Sequence, residues 1–256
     1  MKTSIILKSK LLKDKIPAFT SILIIIILWK ILSLRIRSEL LLPPPEIAVK
    51  RFLSIYQTKL FWVSIWATFL RGMTGFLLSC AAGIIAGILS GIYDFIDKAL
   101  QPFIVMIKST PIMSVILLAL IWFQTENVPI FASFLVAFPI ICANVREGIR
   151  NIDKKLIEMA KIYQVQRKNI LLEIYFPSIL PFLTAGISTA VGIGWKVIVS
   201  AEVLGQPKYA IGTQLYTSKI YLETADVLAW TIAAVLLSAL FEKSIRLLER
   251  KIIKWR

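Results

Sequence analysis

Three charged residues, Lys108, Lys196 and Glu202, stand inside otherwise apolar sequence, where an ionised group needs a reason to be. Lys108 opens the string Lys108-Ser109-Thr110-Pro111 in the middle of a run from 99 to 125, while Lys196 and Glu202 lie near the end of a run that starts at 174. A charge at membrane depth costs about 2.5–3.5 kcal/mol on insertion scales and usually faces a cavity or a partner. Lys108, Ser109 and Thr110 therefore read either as the lining of a polar passage, where a lysine would suit an anionic cargo, or as a snorkelling lysine with small neighbours. The same alternatives, with a local ion pair added, hold for Lys196 and Glu202. Ser–Lys nucleophilic chemistry at 108 and 109 is unconvincing, because neighbours on a helix point about 100° apart. The chain has no histidine, and its two cysteines, Cys80 and Cys142, both sit in apolar runs. Neither a disulfide framework, a metal site nor a cofactor is expected from that inventory. No Gly-x-x-x-x-Gly-Lys-Ser/Thr string occurs, so the chain is not expected to hydrolyse ATP itself.

The elements that hold these residues are set by composition. Of 256 residues 57% are hydrophobic and 18% charged, and mean hydropathy is +0.77. Soluble domains carry roughly 25% charged residues, so this much apolar surface asks for lipid rather than a water-facing coat. The fold class expected is all-α, a single polytopic membrane domain over 1–256. A bilayer core takes roughly 20 apolar residues in a helix, and six runs qualify: 16–34, 72–93, 99–125, 127–145, 174–195 and, the shortest, 227–241. The net charge of +15 flanks these runs instead of forming one patch, which argues against nucleic acid as a partner. Lysines and arginines crowd the head (Lys2, Lys8, Lys10, Lys13, Lys15), the 146–168 loop and the tail (Lys243, Arg246, Arg250, Lys251, Lys254, Arg256). By the positive-inside rule, both termini and that loop face the cytoplasm of a plasma or inner membrane. Arg35, Arg37, Lys50, Arg51 and Lys59 argue the other way. The first run, followed by charge and Pro43-Pro44-Pro45 with no small-x-small site, reads as a retained helix. The 46–70 segment is expected to lie along the outer interface.

Between the fourth and fifth runs lies a short amphipathic segment. Asp153 can cap a helix beginning at Lys154. Leu156, Ile157, Ala160 and Tyr163 then share one face, and Lys154, Lys155, Glu158 and Lys161 the other. Such a helix is either an interfacial connector or a docking element. Glu158-Met159-Ala160-Lys161-Ile162-Tyr163-Gln164, followed after nine residues by Ile174-Tyr175-Phe176-Pro177, resembles the EAA loop of ABC-importer permeases. That pattern is Glu-Ala-Ala, three residues, Gly, nine residues, Ile-x-Leu-Pro; Met159, Gln164 and Phe176 depart from it. Where the family has Gly, Gln164 either bears a left-handed conformation or sits in another type of turn.

Two further pieces resemble the nitrate, sulfonate and taurine branch: Arg71 to Gly75-Phe76, and Gly194-Trp195 followed by Ala201-Glu202-Val203-Leu204-Gly205. Residues 60–250 carry the likeness. The resemblance implies an ATPase-coupling role for Glu158, Met159, Ala160, Tyr163, Gln164, Ile174 and Pro177. It also implies as partners separate ABC ATPase subunits, an extracytoplasmic substrate-binding protein and a second permease copy, with lipid around them. Cargo would be a nitrate-, sulfonate- or taurine-like anion or a vitamin precursor. The rival reading is a secondary transporter driven by an ion gradient, which would want intramembrane acids or inverted repeats; the first four runs hold no acid. Gly83, Gly87 and Gly91, spaced by four, line one face for close helix packing within the subunit or against a second copy. Pro177 and Pro181 mark either a helix start or a hinge.

Overall fold

The computed structural model describes residues 2–252, with side chains described for residue 17 and for 20–247. Of the basic head and tail, the side chains of Lys2, Lys8, Lys10, Lys13, Lys15, Arg250, Lys251, Lys254 and Arg256 lie outside that set. The described residues form eleven α-helices, one π-helical turn and no strand. In chain order the helices are α1 (Lys2–Ile36), α2 (Pro45–Tyr56), α3 (Lys59–Ile92), α4 (Asp94–Ser109), α5 (Ile112–Trp122), α6 (Val128–Arg150), α7 (Lys154–Ile162), α8 (Arg167–Asn169), α9 (Phe176–Gly205), α10 (Ile211–Ile220) and α11 (Thr224–Ile252). The π turn, Ile170–Tyr175, joins α8 to α9 in one continuous run, Arg167–Gly205.

Four helical runs are long and apolar enough to cross a membrane: Lys59–Ile92, Val128–Arg150, Arg167–Gly205 and Thr224–Leu247. The pair α4 and α5, bent by 100°, passes the same test only when taken together, as one broken span or a re-entrant loop. The expected first crossing, 16–34, falls in α1 and begins among residues whose side chains are outside the described set. Three expectations need correction. The 46–70 segment is not one interfacial piece, because it divides into α2 and the opening turns of α3, which Thr58 caps by accepting from Phe61 N. The fifth run begins at Arg167, seven residues before the expected 174. The 99–125 run is not straight. Pro111 lacks an N–H and forces Thr110 into an extended conformation (ψ 129°), which ends α4. The loose end is tied locally: Ser109 Oγ, Thr110 Oγ1 and Thr110 N all donate to Met106 O, at 3.1, 2.7 and 3.0 Å.

The centre of the bundle is α6, flanked by α3 and α9. Glycine makes the α3–α6 contact possible. A Cβ on Gly83 would stand 2.9 Å from Ile141 Cβ, and one on Gly91 2.8 Å from Ile149 Cβ. At Gly87 it would meet Val145 Cβ at 2.6 Å and Cys142 O at 2.8 Å. The glycine stripe thus packs within the subunit. On the other flank, Ala190 of α9 joins Ala137, Ile141, Val145 and Ile149 in one buried cluster. Trp195 then stacks on Phe241 of α11, with ring centroids 5.7 Å apart. Outside this core, α2 is pinned to α11 by Arg51, which makes a two-pronged pair with Asp226, and Lys30 of α1 pairs with Glu46 of α2. The Lys30 contact holds the Glu46 carboxyl below the usual carboxylate range.

Candidate coupling loop and translocation cleft

The segment 151–177 forms a compact loop at one end of the bundle. Asp153 accepts from Lys155 N at 2.9 Å and starts α7 as a side-chain cap. The helix ends in a complete C-terminal motif: Val165 N donates to Ala160 O at 2.9 Å and Gln164 N to Lys161 O at 3.0 Å, the pairing a left-handed residue after the helix allows. Gln164 is that residue, with φ 52°. It occupies the conformation glycine favours, which costs a side-chain-bearing residue about 1–2 kcal/mol. Glycine gives back about 0.5–1 kcal/mol in chain entropy, so Gln164→Gly is expected to stabilise the loop by up to about 1 kcal/mol. Slower trypsin cleavage at the exposed Lys161 and Arg167 would report it; unchanged or faster cleavage would mean the turn carries no strain.

The two faces of α7 differ from the expected division. Only Ala160, 3% exposed, and the half-buried Ile157 turn inward. Leu156, Met159, Ile162 and Tyr163 point away from the chain, with Ile162 79% and Tyr163 76% exposed. Tyr163 is therefore not on the inner face with Ala160, because the helix has already ended at Ile162 and the turn swings it out. Glu158 is exposed among Lys154, Lys155 and Lys161. Beneath α7, Ile174 and Pro177 are half-buried. Pro177 is the second residue of α9, in the helix's first turn. It sits two residues after the π turn, where the N–H that proline lacks belongs to the opening turn of α9.

Lys108 and Thr110 stand together on the wall of a cleft of about 380 Å³ at the α4–α5 bend, across from Pro139, Ile140, Ile193 and Val197. Ser109 is exposed and spends its hydroxyl on Met106 O, so it does not line this cleft. Lys196 is exposed on α9 and is also off the cleft wall.

Glu202 lies at the opposite end from α7, fully buried at 0% exposure. Its Oε1 accepts from Arg71 Nη1 at 3.0 Å; its Oε2 accepts from Thr68 Oγ1 at 3.0 Å and from Gly212 N at 3.2 Å. Arg71 Nη1 also donates to Tyr209 O at 2.8 Å, while Nη2 pairs with Glu126. Glu126 Oε1 accepts from Lys208 N at 3.1 Å, and Thr68 Oγ1 from Ile211 N at 3.0 Å. Side chains from α3, α9 and the α5–α6 connection thus fix the backbone of 208–212. The geometry makes Glu202 a keystone of that loop rather than part of the cleft at Lys108. Thr68 and Glu126 carry no signal in the sequence, since their partners are 134 and 82 residues away.

With this arrangement in place, comparison with known proteins decides the family. Residues 80–254 match the binding-protein-dependent transport system inner membrane component family. The chain belongs to that family. The permease is 29% identical over 235 residues to SsuC of Bacillus subtilis (strain 168), assigned by its name to aliphatic sulfonates transport, covering 91% of this chain and 85% of that protein. The taurine transport system permease protein TauC of Escherichia coli (strain K12) is 25% identical over 233 residues, covering 89% and 84%. In fold, the permease matches a chain from a bacterial ABC transporter involved in the import of the acidic polysaccharide alginate, with a TM-score of 0.65 at 17% identity over 95% of this chain and 98% of that one. It is thus a multi-pass membrane permease of a binding-protein-dependent system, which sets aside the ion-gradient carrier.

Proposed function

We propose that the permease is the membrane-spanning subunit of an ATP-driven importer and is coupled through α7 to a separate ATPase. The observation that carries this reading is the uncovered apolar surface of Leu156, Met159 and Ile162 on α7 and of Tyr163 in the turn that follows, on a segment otherwise ringed with charge. A monomer gains nothing from exposing four large apolar side chains side by side, so a partner surface is the natural cover. Glu158 sits on the rim, where a carboxylate would meet basic or amide donors. Two copies form the pathway, surrounded by lipid, with both termini and α7 in the cytoplasm. A binding protein delivers cargo at the opposite end, over 203–223. The relatives' names support a sulfonate-type anion as cargo, with Lys108 and Thr110 on the passage wall. Lys196, exposed on α9, is a second cation available to that passage in the assembled dimer.

Co-purification of the ATPase with a tagged permease tests the coupling surface. Central apolar anchors of an interface are worth about 2 kcal/mol or more each. Met159→Asp with Ile162→Asp should therefore abolish co-purification, and Glu158→Ala should weaken it. Capture of the cargo-loaded binding protein, at the other end, should persist. Normal assembly and uptake by the double variant would reduce α7 to a connector.

A further inference from the structure

Four charged residues at the α7 end of the bundle serve neither α7 nor the cleft directly, yet they lie between the two. Asp94 and Asp97 occupy the first turn of α4, and Arg146 and Arg150 the last turns of α6. Arg146 Nη1 donates to Asp97 Oδ1 at 2.8 Å. Arg150 Nη2 is shared between Asp97 Oδ2 at 3.0 Å and Asp94 Oδ1 at 2.9 Å. Asp97 is buried at this junction.

We propose that this cluster is the joint through which displacement of α7 reaches the α4–α5 bend, with Asp97 and Arg150 as its positioning residues. The inference rests on the coupling role proposed above for α7. Three observations place the joint in the line of transmission. Arg150 is the last residue of α6, and only Asn151, Ile152 and the capping Asp153 separate it from α7; Ile152 is buried and bonded back to Ile149 O. A push on α7 therefore moves Arg150. At the far side, α4 runs about 24 Å, from its 16 residues at 1.5 Å each and with Pro102 inside it, ending at Ser109 beside Lys108 and Thr110 on the cleft wall. From Lys98 to Thr110 every side chain is exposed except the half-buried Leu100, Ile104 and Ile107. The salt-bridged end is thus where α4 is tied by charge, while its other end leads through Pro111 into α5, whose Ile116 and Ala119 are packed in the core.

The joint also has a second arrangement within reach. Arg146 Nε is buried and has no acceptor among the described residues. Asp97 is held by a single prong of Arg146 and by one shared nitrogen of Arg150. A small shift of Arg150 toward Asp94 would give up its contact with Asp97 Oδ2 and leave Asp97 on Arg146 alone, a second pairing of the same four charges. Two discrete pairings of the same charges are what a coupling element needs.

The test uses the whole complex, with ATPase and binding protein, reconstituted in vesicles and supplied with taurine as the probe cargo and, in parallel, with an aliphatic sulfonate and nitrate. Asp97→Asn and Arg150→Gln should each lower cargo taken up per ATP hydrolysed by about tenfold, within the range of allosteric coupling energies. Assembly and ATP hydrolysis should remain. Asp97→Glu should restore most of the ratio, since it keeps the charge. An unchanged ratio in Asp97→Asn and Arg150→Gln would overturn the joint while leaving the permease reading intact. Loss of assembly together with uptake in both variants would make the cluster structural and would equally overturn it. Failure of the parent complex to import any of the three probes would instead count against the proposed function.

Discussion

Arg71→Met is expected to destabilise the permease by about 3–5 kcal/mol, because it strands Glu202 as an uncompensated charge in the core. Arg71 is the one cation among the described residues bonded to that carboxylate, and through Glu126 and Tyr209 O it also ties down the 208–212 segment. A melting temperature measured in detergent, with the elution profile as a check on folding, would read the loss. Glu202→Gln should be milder, since the amide still bonds Thr68 and Arg71 keeps Glu126. Replacing both partners, Arg71→Met with Glu202→Met, should recover much of the deficit, as neutral replacements of buried ion pairs commonly do. A single Arg71→Met variant melting with the parent would mean that the pair contributes nothing to holding the loop.

Gly87→Val is expected to be the second severe change, for a purely steric reason. Even a Cβ at 87 would come within 2.6 Å of Val145 Cβ and 2.8 Å of the carbonyl oxygen of Cys142. Backbone oxygen does not move aside as a side-chain tip does, so α3 and α6 must separate along their whole contact. Overpacking of this kind costs about 1–3 kcal/mol and occasionally more. Gly192→Ala supplies the control, since apart from its own helix nothing among the described residues lies within 4 Å of a Cβ there. On a helix that change should be neutral or stabilising by about 0.5–1 kcal/mol. Equal melting of Gly87→Val and Gly192→Ala would refute the close approach of α3 and α6.

What could be read from the sequence was what repeats along one helix or breaks it. Glycines four apart announced a packing face, and the structure puts Ile141, Val145 and Ile149 against it. Asp153 announced a cap, and it caps. The apolar runs marked most of the crossings, though they placed the starts late, because α3 and the run from Arg167 open with mixed turns outside the apolar stretch. The 100° bend was missed: the 99–125 run read as one span, and Pro111 inside it did not by itself say that the chain turns there. The Glu202 network and the Asp97 cluster stayed hidden because their side-chain to side-chain pairs are 49 to 134 residues apart. Glu202 stood out for its charge and for the Ala201-Glu202 string around it, and neither says whether it faces a cavity or a buried guanidinium. Ala160 shows the same limit: spacing put it on a helix, but its contact is with its own chain, so a bulky residue there would clash inside the loop before any partner arrives.

The π turn at Ile170–Tyr175 bears on how this permease tolerates changes of length. Such a turn is in effect one inserted residue, and each residue of an α-helix accounts for about 100° of rotation. Everything before it, α7 included, is therefore set at an azimuth about the α9 axis that a regular helix would not give. Substitutions in 170–175 leave that azimuth alone. Loss or gain of one residue would turn the exposed patch of Ile162 and Tyr163 away from its bearing without altering any residue in it. The segment is thus far less forgiving of indels than of point changes, and grafts of this loop between permeases must preserve residue count before identity.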